Sequence, residues 1–212
     1  PVAAIVGYTN AGKSTLLNAL TGAGILAEHK LFATLDPTTR RMVLPSGQEI
    51  LLTDTVGFIR KLPHHLVEAF KSTLEEARYA DYILHVVDSA SPQMDAQMET
   101  VYETLDRLGI AGKPVITLFN KRDLVTDSEL PGDPNAVRAI GISAGTGAGL
   151  DALSEVLEEQ LRNSRVQVEK LFPYAQAGDI QRIRKAGQVL EEEYREDGIY
   201  IKAWMTAHWR SR

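Results

Sequence analysis

One run of eight residues constrains the fold of this chain more than any other feature. The run Gly7-Tyr8-Thr9-Asn10-Ala11-Gly12-Lys13-Ser14 fits the pattern G-x-x-x-x-G-K-[ST] at every fixed position. A strand-like apolar segment, 2–6, precedes it, and a helical segment, 15–20, follows it. In such a context the backbone N–H groups of the loop and the helix N-terminus bind phosphate. The pattern therefore predicts a phosphate-binding loop, with Lys13 on the β and γ phosphates, Ser14 as a ligand of Mg²⁺ and Thr15 also near the nucleotide.

A second run, Asn120-Lys121-Arg122-Asp123, predicts the base of the nucleotide. It follows the apolar segment 115–119, so it lies at the end of an expected strand. A carboxylate only accepts hydrogen bonds, and guanine offers N1–H and its 2-amino group side by side. Adenine has no 2-amino group, and its N1 is an acceptor. We therefore predict that Asp123 selects guanine, and that the ligand is GTP or GDP.

Two further motifs complete the predicted site. Asp54-Thr55-Val56-Gly57 follows the apolar segment 50–52, and we expect Asp54 to hold Mg²⁺ through a water. Gly57 is expected to contact the γ-phosphate through its N–H, so that the following segment senses whether this phosphate is present. The pair Ser143-Ala144 follows another short strand-like segment and is expected to pack under the base and its O6. Each motif is common alone, but the order and spacing of the four are specific.

The apolar patterning predicts an α/β fold. Strand-like segments alternate with helices that carry core-facing stripes, and parallel strands need such crossovers. A doubly wound, mostly parallel sheet flanked by helices is therefore expected, with the ligand at the carboxyl ends of the strands. The expected strands are 2–6, 42–44, 49–53, 82–87, 115–119 and 137–142, the expected helices are 66–79, 92–108 and 150–161, and 126–136 is expected to be a polar loop.

The pattern changes after about residue 165. We expect a strand at 166–172, a helix at 177–186 that Gly187 ends, and a hairpin of 188–194 and 199–205 around Asp197-Gly198. The chain is thus predicted to hold a domain at 1–165 and a small α+β subdomain at 166–212. The subdomain is locally basic, and this is either a solvated face or an RNA-facing patch. The basic residues are Arg182, Arg184, Lys185, Arg210 and Arg212.

Composition narrows the class of protein. The 212 residues carry a formal net charge of −5, which argues against a general nucleic-acid-coating surface. The absence of cysteine excludes disulfides and thiolate chemistry. No run reaches the length of a membrane span and no signal peptide is visible, so an intracellular domain is expected. Because the chain starts at Pro1, one step before the first strand, we expect a fragment of a longer parent.

Several segments carry a narrower resemblance. The chain resembles the HflX family in four segments. They are the run Phe32-Ala33-Thr34-Leu35-Asp36-Pro37-Thr38-Thr39-Arg40, segment 54–60, Leu62-Pro63-His64 and the tail from Phe172-Pro173-Tyr174. This family belongs to the Obg-HflX group of translation-factor-like P-loop GTPases, and the resemblance covers essentially the whole chain. It implies a three-layer P-loop GTPase fold and a cytoplasmic GTPase that binds the large ribosomal subunit and splits stalled ribosomes under stress. It also implies an N-terminal domain, which this chain lacks, and we expect a monomer.

The resemblance also assigns the first switch. By the family pattern Thr34 is the Mg²⁺-ligating threonine, with Thr38 and Thr39 as alternatives, and segment 32–36 contacts the nucleotide. Together with Lys13 and Gly57, Thr34 forms the expected catalytic set. Basic residues flank both switches, and they are either solvated or in state-dependent contact with rRNA. These are Arg40, Arg41, Arg60 and Lys61.

The residue after Gly57 raises a mechanistic problem. Many GTPases place a glutamine there to orient the attacking water, whereas this chain has the apolar Phe58. We therefore predict slow intrinsic hydrolysis. Either Asn10 helps to bind K⁺ near the phosphates, as in some relatives, or a partner completes the site. The alternative role of Asn10 is that of an amide that stabilises the loop. His64 and His65 follow the second switch and are expected to be helix-entry residues, with a contribution to catalysis as the alternative, and His85 is expected to be a strand residue.

A second class of function remains open at this point. The chain could be a GTPase of tRNA modification or of another RNA-related process without ribosome splitting. The run that ends in Asp123 opposes an ATP-dependent kinase, and the sequence shows no second catalytic cluster in support of a modifying activity.

Overall fold

The computed structural model describes residues 1–22, 38–55, 57, 77–110, 112–126, 129–163 and 165–206. These residues form two compact units, Pro1–Val156 and Leu157–Arg212. The boundary falls inside one helix, at 150–163. The domain limits 1–165 and 166–212 stay a prediction. Within the described part of the chain, no helix is both long and apolar enough to cross a membrane.

The first unit contains a six-stranded sheet in the order β2-β3-β1-β4-β5-β6. Neighbouring strands are parallel, except that β2 and β3 are antiparallel. The predicted α/β class with a mostly parallel sheet is therefore confirmed. The strands are β1 Val2–Gly7, β2 Thr38–Val43, β3 Glu49–Asp54, β4 Tyr82–Asp88, β5 Val115–Asn120 and β6 Arg138–Gly141. Among the described residues of this unit, the helices longer than one turn are α1 Lys13–Thr21, α2 Met94–Arg107 and the first part of α3 Leu150–Asn163.

The central strands are buried because helices cover a parallel sheet on its faces. All six residues of β5 are buried, as are the last five of β1. One apolar cluster joins β1 and β4 to α2, through Ala4, Ile83 and the α2 residues Val101 and Leu105. Val101 and Leu105 are four residues apart and so lie on one face of the helix, as the sequence pattern predicted.

The strand register places four polar or glycine positions at one edge of the sheet. Ile5 of β1 pairs with Asp54, which ends β3. Gly7 ends β1 opposite Val86, and Asp88 at the end of β4 pairs with Asn120 at the end of β5. Strand order reverses at β1, and in open α/β sheets ligands bind at that point, beyond the carboxyl ends of the strands.

Element boundaries differ from the expectations in places. Strand β2 starts at residue 38 rather than 42, because 38–43 pair with 49–54 in a continuous antiparallel ladder. The polar residues Thr39, Arg40 and Arg41 hid this strand, since an edge strand tolerates side chains that a central strand does not. Helix α2 starts at Met94, two residues later than expected, and α3 ends at Asn163, two residues later. Of the expected helix 66–79, residues 77–79 are helical and the others lie outside the described residues.

The second unit is a three-stranded antiparallel sheet in the order β7-β9-β8. Its elements are β7 Arg165–Phe172, α4 Ala177–Ala186, β8 Gln188–Arg195 and β9 Gly198–Thr206. Helix α4 packs on one face of the sheet, where Ile180 and Ile183 meet Phe172 and alternate residues of β9 such as Ile201. The predicted small α+β piece with the order β-α-β-β is thus confirmed.

The close approach of the end of β7 to the β8–β9 turn requires a glycine at position 198. A Cβ on Gly198 would lie 2.3 Å from the carbonyl oxygen of Phe172. The Tyr174 hydroxyl donates a hydrogen bond of 2.7 Å to the carbonyl of Arg195 in the same turn. The Phe172-Pro173-Tyr174 segment therefore closes over the hairpin end.

Candidate nucleotide-binding site

The predicted phosphate loop connects β1 to α1 by a turn that needs unusual backbone angles. Asn10 has φ 61°, and Gly12 has φ 103° with a left-handed conformation. The Ala11 N–H donates to the Tyr8 carbonyl at 3.2 Å. A Cβ on Gly12 would lie 2.3 Å from Nδ2 of Asn120, so the glycine lets the loop pack directly on that side chain.

Lys13 is a buried cation at the start of α1. Its Nζ donates to the carbonyl oxygens of Gly7 and Tyr8, each at 3.2 Å, and only 7% of the residue is exposed. Burial lowers the pKa of Lys13 to about 8, although the nearby Asp54 carboxylate acts in the opposite direction. A phosphate beside this ammonium would favour its charged form, so the position suits an anionic ligand.

Ser14 and Asp54 bring two oxygen ligands together from different motifs. The Ser14 hydroxyl donates to Oδ2 of Asp54 at 2.8 Å, and Asp54 is only 2% exposed. The Thr55 hydroxyl donates to the Ile5 carbonyl at 2.7 Å, which fixes the end of β3 to β1. A hydroxyl and a carboxylate are hard oxygen donors, the type that Mg²⁺ prefers, so the residues present fit this ion.

Gly57 approaches the phosphate loop through its backbone. A Cβ there would lie 2.9 Å from Cα of Thr9 and 3.0 Å from Nζ of Lys13. Any side chain would thus displace either the loop or the lysine. The predicted role of Gly57, an N–H on the γ-phosphate, needs this close approach.

Asn120 joins the phosphate loop to the loop that follows β6. Its Nδ2 donates to the Ala11 carbonyl at 2.8 Å, and its Oδ1 accepts from the Ala144 N–H at 2.8 Å. The residue is 2% exposed, so both hydrogen bonds are shielded from water. One buried side chain therefore holds three of the predicted motifs in a fixed relation.

The run 120–123, predicted to select the base, forms a tight turn at the end of β5. Lys121 has φ 62°, in the left-handed region, and Arg122–Leu124 form one 3₁₀ turn. The Arg122 N–H donates to the Ile142 carbonyl at 3.1 Å, and Asp123 is exposed. Ser143 and Ala144 are buried, at 2% and 5% exposure. The exposed carboxylate and these two residues thus lie on connected loops at the same edge of the sheet.

Several residues of the predicted site and its surroundings lie outside the described part of the chain. Thr34 and its neighbours Phe32, Ala33, Leu35 and Asp36, as well as Val56 and Phe58, lie outside the described residues. So do His64, His65, Arg60, Lys61, Arg210 and Arg212. Of the alternatives to Thr34, Thr38 pairs with Asp54 in the β2–β3 register, and the Thr39 hydroxyl lies 3.0 Å from that of Thr53. Thr39 is therefore engaged within the sheet.

Asp88 is a residue of this edge that sequence reasoning missed. It ends β4, and its Oδ2 accepts a hydrogen bond of 2.6 Å from the Lys121 ammonium. The expected strand stopped one residue earlier, at 87. The available signal was a carboxylate directly after a buried parallel strand, the position where ligand-site residues gather.

His85 is a core residue rather than part of the site. It is 1% exposed, and its ring meets Tyr102 edge-to-face at 5.1 Å. Burial lowers the pKa of His85 to about 4; the Asp133 carboxylate opposes this shift, whereas the Lys13 cation adds to it. The imidazole is therefore neutral at pH 7. Asp133 in turn accepts hydrogen bonds from Tyr102, at 2.6 Å, and from Thr117.

The basic side chains of α4 are largely paired within their own unit. Arg182 contacts Asp179 at 3.2 Å, and Arg184 donates two hydrogen bonds to Glu192. Lys185 is exposed. Two of the three arginine and lysine side chains on this helix are thus paired with carboxylates, and the two alternatives, a solvated face or an RNA-facing patch, stay predictions.

Comparison with known proteins agrees with this geometry. A family model described as "50S ribosome-binding GTPase" matches residues 2–121, more than half of the chain. The chain belongs to the 50S ribosome-binding GTPase family.

Several curated relatives of this chain are named GTPase HflX. The chain is similar to GTPase HflX of Lacrimispora saccharolytica, with 64% identity over 205 residues, covering 97% of the chain and 48% of the relative. It is 54% identical to GTPase HflX of Caldanaerobacter subterraneus subsp. tengcongensis over 212 residues, covering 100% of the chain and 49% of the relative. The predicted resemblance to HflX is confirmed. The chain spans about half the length of these relatives.

Solved structures of P-loop GTPases share the fold. A GTP-binding protein from Sulfolobus solfataricus in complex with GDP has a TM-score of 0.61 and 30% identity, over 75% of this chain and 51% of that one. Era in complex with MgGDPNP and nucleotides 1506–1542 of 16S ribosomal RNA has a TM-score of 0.61 and 26% identity. That match covers 93% of this chain and 74% of the Era chain.

Proposed function

We propose that this chain is the GTP-binding and GTP-hydrolysing part of a molecular switch that associates with the large ribosomal subunit. The observation that carries the proposal is the bridge made by Asn120 between the Ala11 carbonyl and the Ala144 N–H. It sets a phosphate-binding loop and a base-reading loop in one rigid frame, which is the arrangement that a nucleoside polyphosphate requires. The family model and the HflX relatives support the same reading.

Guanine nucleotide binding is assigned to the four motifs. Segment 7–15, with Lys13, takes the phosphates, Asp123 takes N1–H and the 2-amino group of guanine, and Ser143 and Ala144 lie near O6. Lys121 and Arg122 complete the base loop, whereas segments 32–36 and 54–57 are proposed to sense the γ-phosphate. The neighbouring GDP complex of the Sulfolobus protein supports the choice of nucleotide.

Ser14, Asp54 and Thr34 are the proposed holders of Mg²⁺. The 2.8 Å hydrogen bond between the Ser14 hydroxyl and the Asp54 carboxylate places two suitable donors together. When bound, the ion neutralises charge on the β and γ phosphates. Asp54 is proposed to act through a water, and Ser14 directly.

Hydrolysis by the isolated chain is proposed to be slow. Lys13, Thr34 and Gly57 stabilise charge on the transferred phosphoryl group, but Phe58 supplies no polar atom to orient the attacking water. Asn10 has φ 61° and is exposed in the phosphate loop, and its side-chain oxygen is the proposed ligand of K⁺. A cation there would add positive charge beside the phosphates.

The proposed partner is the large ribosomal subunit, with rRNA as part of the contact surface. The family description names 50S binding, and the Era neighbour was solved with ribosomal RNA. Ribosome splitting or rescue under stress, a cytoplasmic location, a monomeric state and an N-terminal domain ahead of this segment come from the resemblance to HflX. No observation on the described residues favours tRNA modification instead.

Sedimentation with purified large subunits tests the ribosomal part of the proposal. The parent protein is expected to pellet with 50S subunits in a non-hydrolysable GTP analogue and less in GDP, because only the analogue offers the γ-phosphate that Thr34 and Gly57 are proposed to contact. Lys13→Ala, which removes the phosphate-binding cation, serves as the control and should abolish the difference. Equal pelleting of the unmodified protein in both nucleotides, or none in either, would contradict the proposal.

A further inference from the structure

Asp88 binds the lysine of the base-selecting loop from a neighbouring strand. Its Oδ2 accepts from Nζ of Lys121 at 2.6 Å, with the two side chains 20% and 31% exposed. Its Oδ1 accepts from the Ala90 N–H at 3.0 Å. Backbone pairing reinforces the contact, because Asp88 lies opposite Asn120 in the β4–β5 register and the Ser89 N–H donates to the Asn120 carbonyl at 2.9 Å.

Lys121 needs such a restraint because of its position. It has φ 62°, and it precedes Asp123 by two residues in a single tight turn. An ammonium on a four-carbon stem is mobile, and an unrestrained Lys121 could reach the Asp123 carboxylate. A carboxylate that accepts from lysine has fewer lone pairs left for N1–H and the 2-amino group of guanine.

We propose that Asp88 is a positioning residue for guanine recognition: it holds the Lys121 ammonium away from Asp123 and keeps that carboxylate available to the base. The contact also fixes the methylene stem of Lys121 before the nucleotide arrives, so less side-chain entropy is lost on binding. The ligand class is a guanine nucleotide, and the inference rests on the proposed function of this same site.

Asp88→Asn separates this role from the local structure of the turn. The amide oxygen of asparagine can still accept from the Ala90 N–H, whereas the charge that holds Lys121 is lost. Glu103→Gln is a matched control, since it removes the carboxylate of another ion pair, 3.3 Å from Arg107 on helix α2. Thermal unfolding of the nucleotide-free variants checks that each one folds.

The test measures dissociation constants of GDP and of IDP, which lacks the 2-amino group. Asp88→Asn is expected to raise the GDP dissociation constant about tenfold, the size of a lost charge-assisted hydrogen bond. Its preference for GDP over IDP should fall by about threefold, because the carboxylate that distinguishes them is partly occupied. In a Lys121→Met background, adding Asp88→Asn should change the GDP constant by less than about twofold. Glu103→Gln should change neither constant.

Three outcomes would overturn the inference. One is an unchanged dissociation constant for GDP in an Asp88→Asn protein that folds. Another is a loss of affinity that persists in the Lys121→Met background, since the aspartate would then act on the turn alone. The third is a loss of GDP and IDP binding by the same factor. If the unmodified protein fails to bind GDP, the proposed function falls together with this inference.

Discussion

Replacing Asn120 by alanine tests whether one buried side chain holds the nucleotide site together. The substitution removes the donor to the Ala11 carbonyl and the acceptor of the Ala144 N–H, each at 2.8 Å. Ala11 is 1% exposed and Ala144 is 5% exposed, so water does not readily replace the lost partners.

The magnitude follows from the two backbone groups left behind. Each buried group without a partner costs about 1–3 kcal/mol, and relaxation of the loops recovers part of this. We expect Asn120→Ala to lower the free energy of unfolding by about 2–4 kcal/mol, a large share of the stability of a typical domain. GDP affinity should fall as well, because the phosphate loop and the base loop lose their fixed relation.

Urea unfolding of the nucleotide-free protein and calorimetric titration with GDP measure both effects. Asn135→Ala is the matched control, since Asn135 is exposed and its loss should cost less than about 0.5 kcal/mol. An Asn120→Ala protein with unchanged stability and unchanged GDP affinity would refute the reasoning. A loss of stability with full GDP affinity would show that the bridge is structural only.

Three further predictions concern charge. Burial holds the pKa of Lys13 at about 8, so GDP binding at pH 8 should take up about half a proton, and GDP affinity should fall at higher pH. Calorimetry in buffers of different ionisation enthalpy measures this uptake, and finding none would contradict the prediction. The pKa of His85 is about 4 in the folded protein and near 6.5 in the unfolded chain, so the unfolded chain binds more protons between these two pH values. The free energy of unfolding should therefore fall by roughly 3 kcal/mol as the pH drops from 6.5 to 4. His85→Leu should lose most of this pH dependence, and an unchanged fall in the free energy of unfolding at low pH would contradict the prediction. Replacing Na⁺ by K⁺ at matched ionic strength should raise GTP turnover through Asn10, and Asn10→Ala should remove the difference; equal rates in both salts would exclude the K⁺ role.

The parts of the candidate site that can be predicted from sequence are motifs of consecutive residues. The spacing from Gly7 to Ser14 predicts a loop between a strand and a helix, and the structure has β1 and α1 on its two sides. The apolar segment at 115–119 likewise predicts β5, which the run ending in Asp123 follows. Central strands were predictable because burial on both faces forces continuous apolar sequence. The predicted strand starts at residue 42 instead of 38, because the polar residues at the start of β2 lie at the sheet edge and do not form a continuous apolar sequence.

Contacts between distant residues were not predictable from sequence. Asp88 and Lys121 are 33 positions apart, and they meet because β4 and β5 pair with Asp88 opposite Asn120. Tyr102, Thr117 and Asp133 likewise converge only through packing of a helix and a loop against β5. Which side chain accepts from which donor depends on register, and the sequence patterns carry strand identity but not register.

The most direct test of the guanine assignment is an exchange of base specificity at Asp123. Asparagine offers one acceptor and one donor, which match N1–H and the C2 carbonyl of xanthine instead of the two donors of guanine. We predict that the unmodified protein prefers GDP over both ADP and XDP, and that Asp123→Asn loses GDP affinity while it gains affinity for XDP. Competition binding with the three diphosphates measures this. Undiminished GDP binding by Asp123→Asn, or equal binding of GDP and ADP by the unmodified protein, would contradict the account.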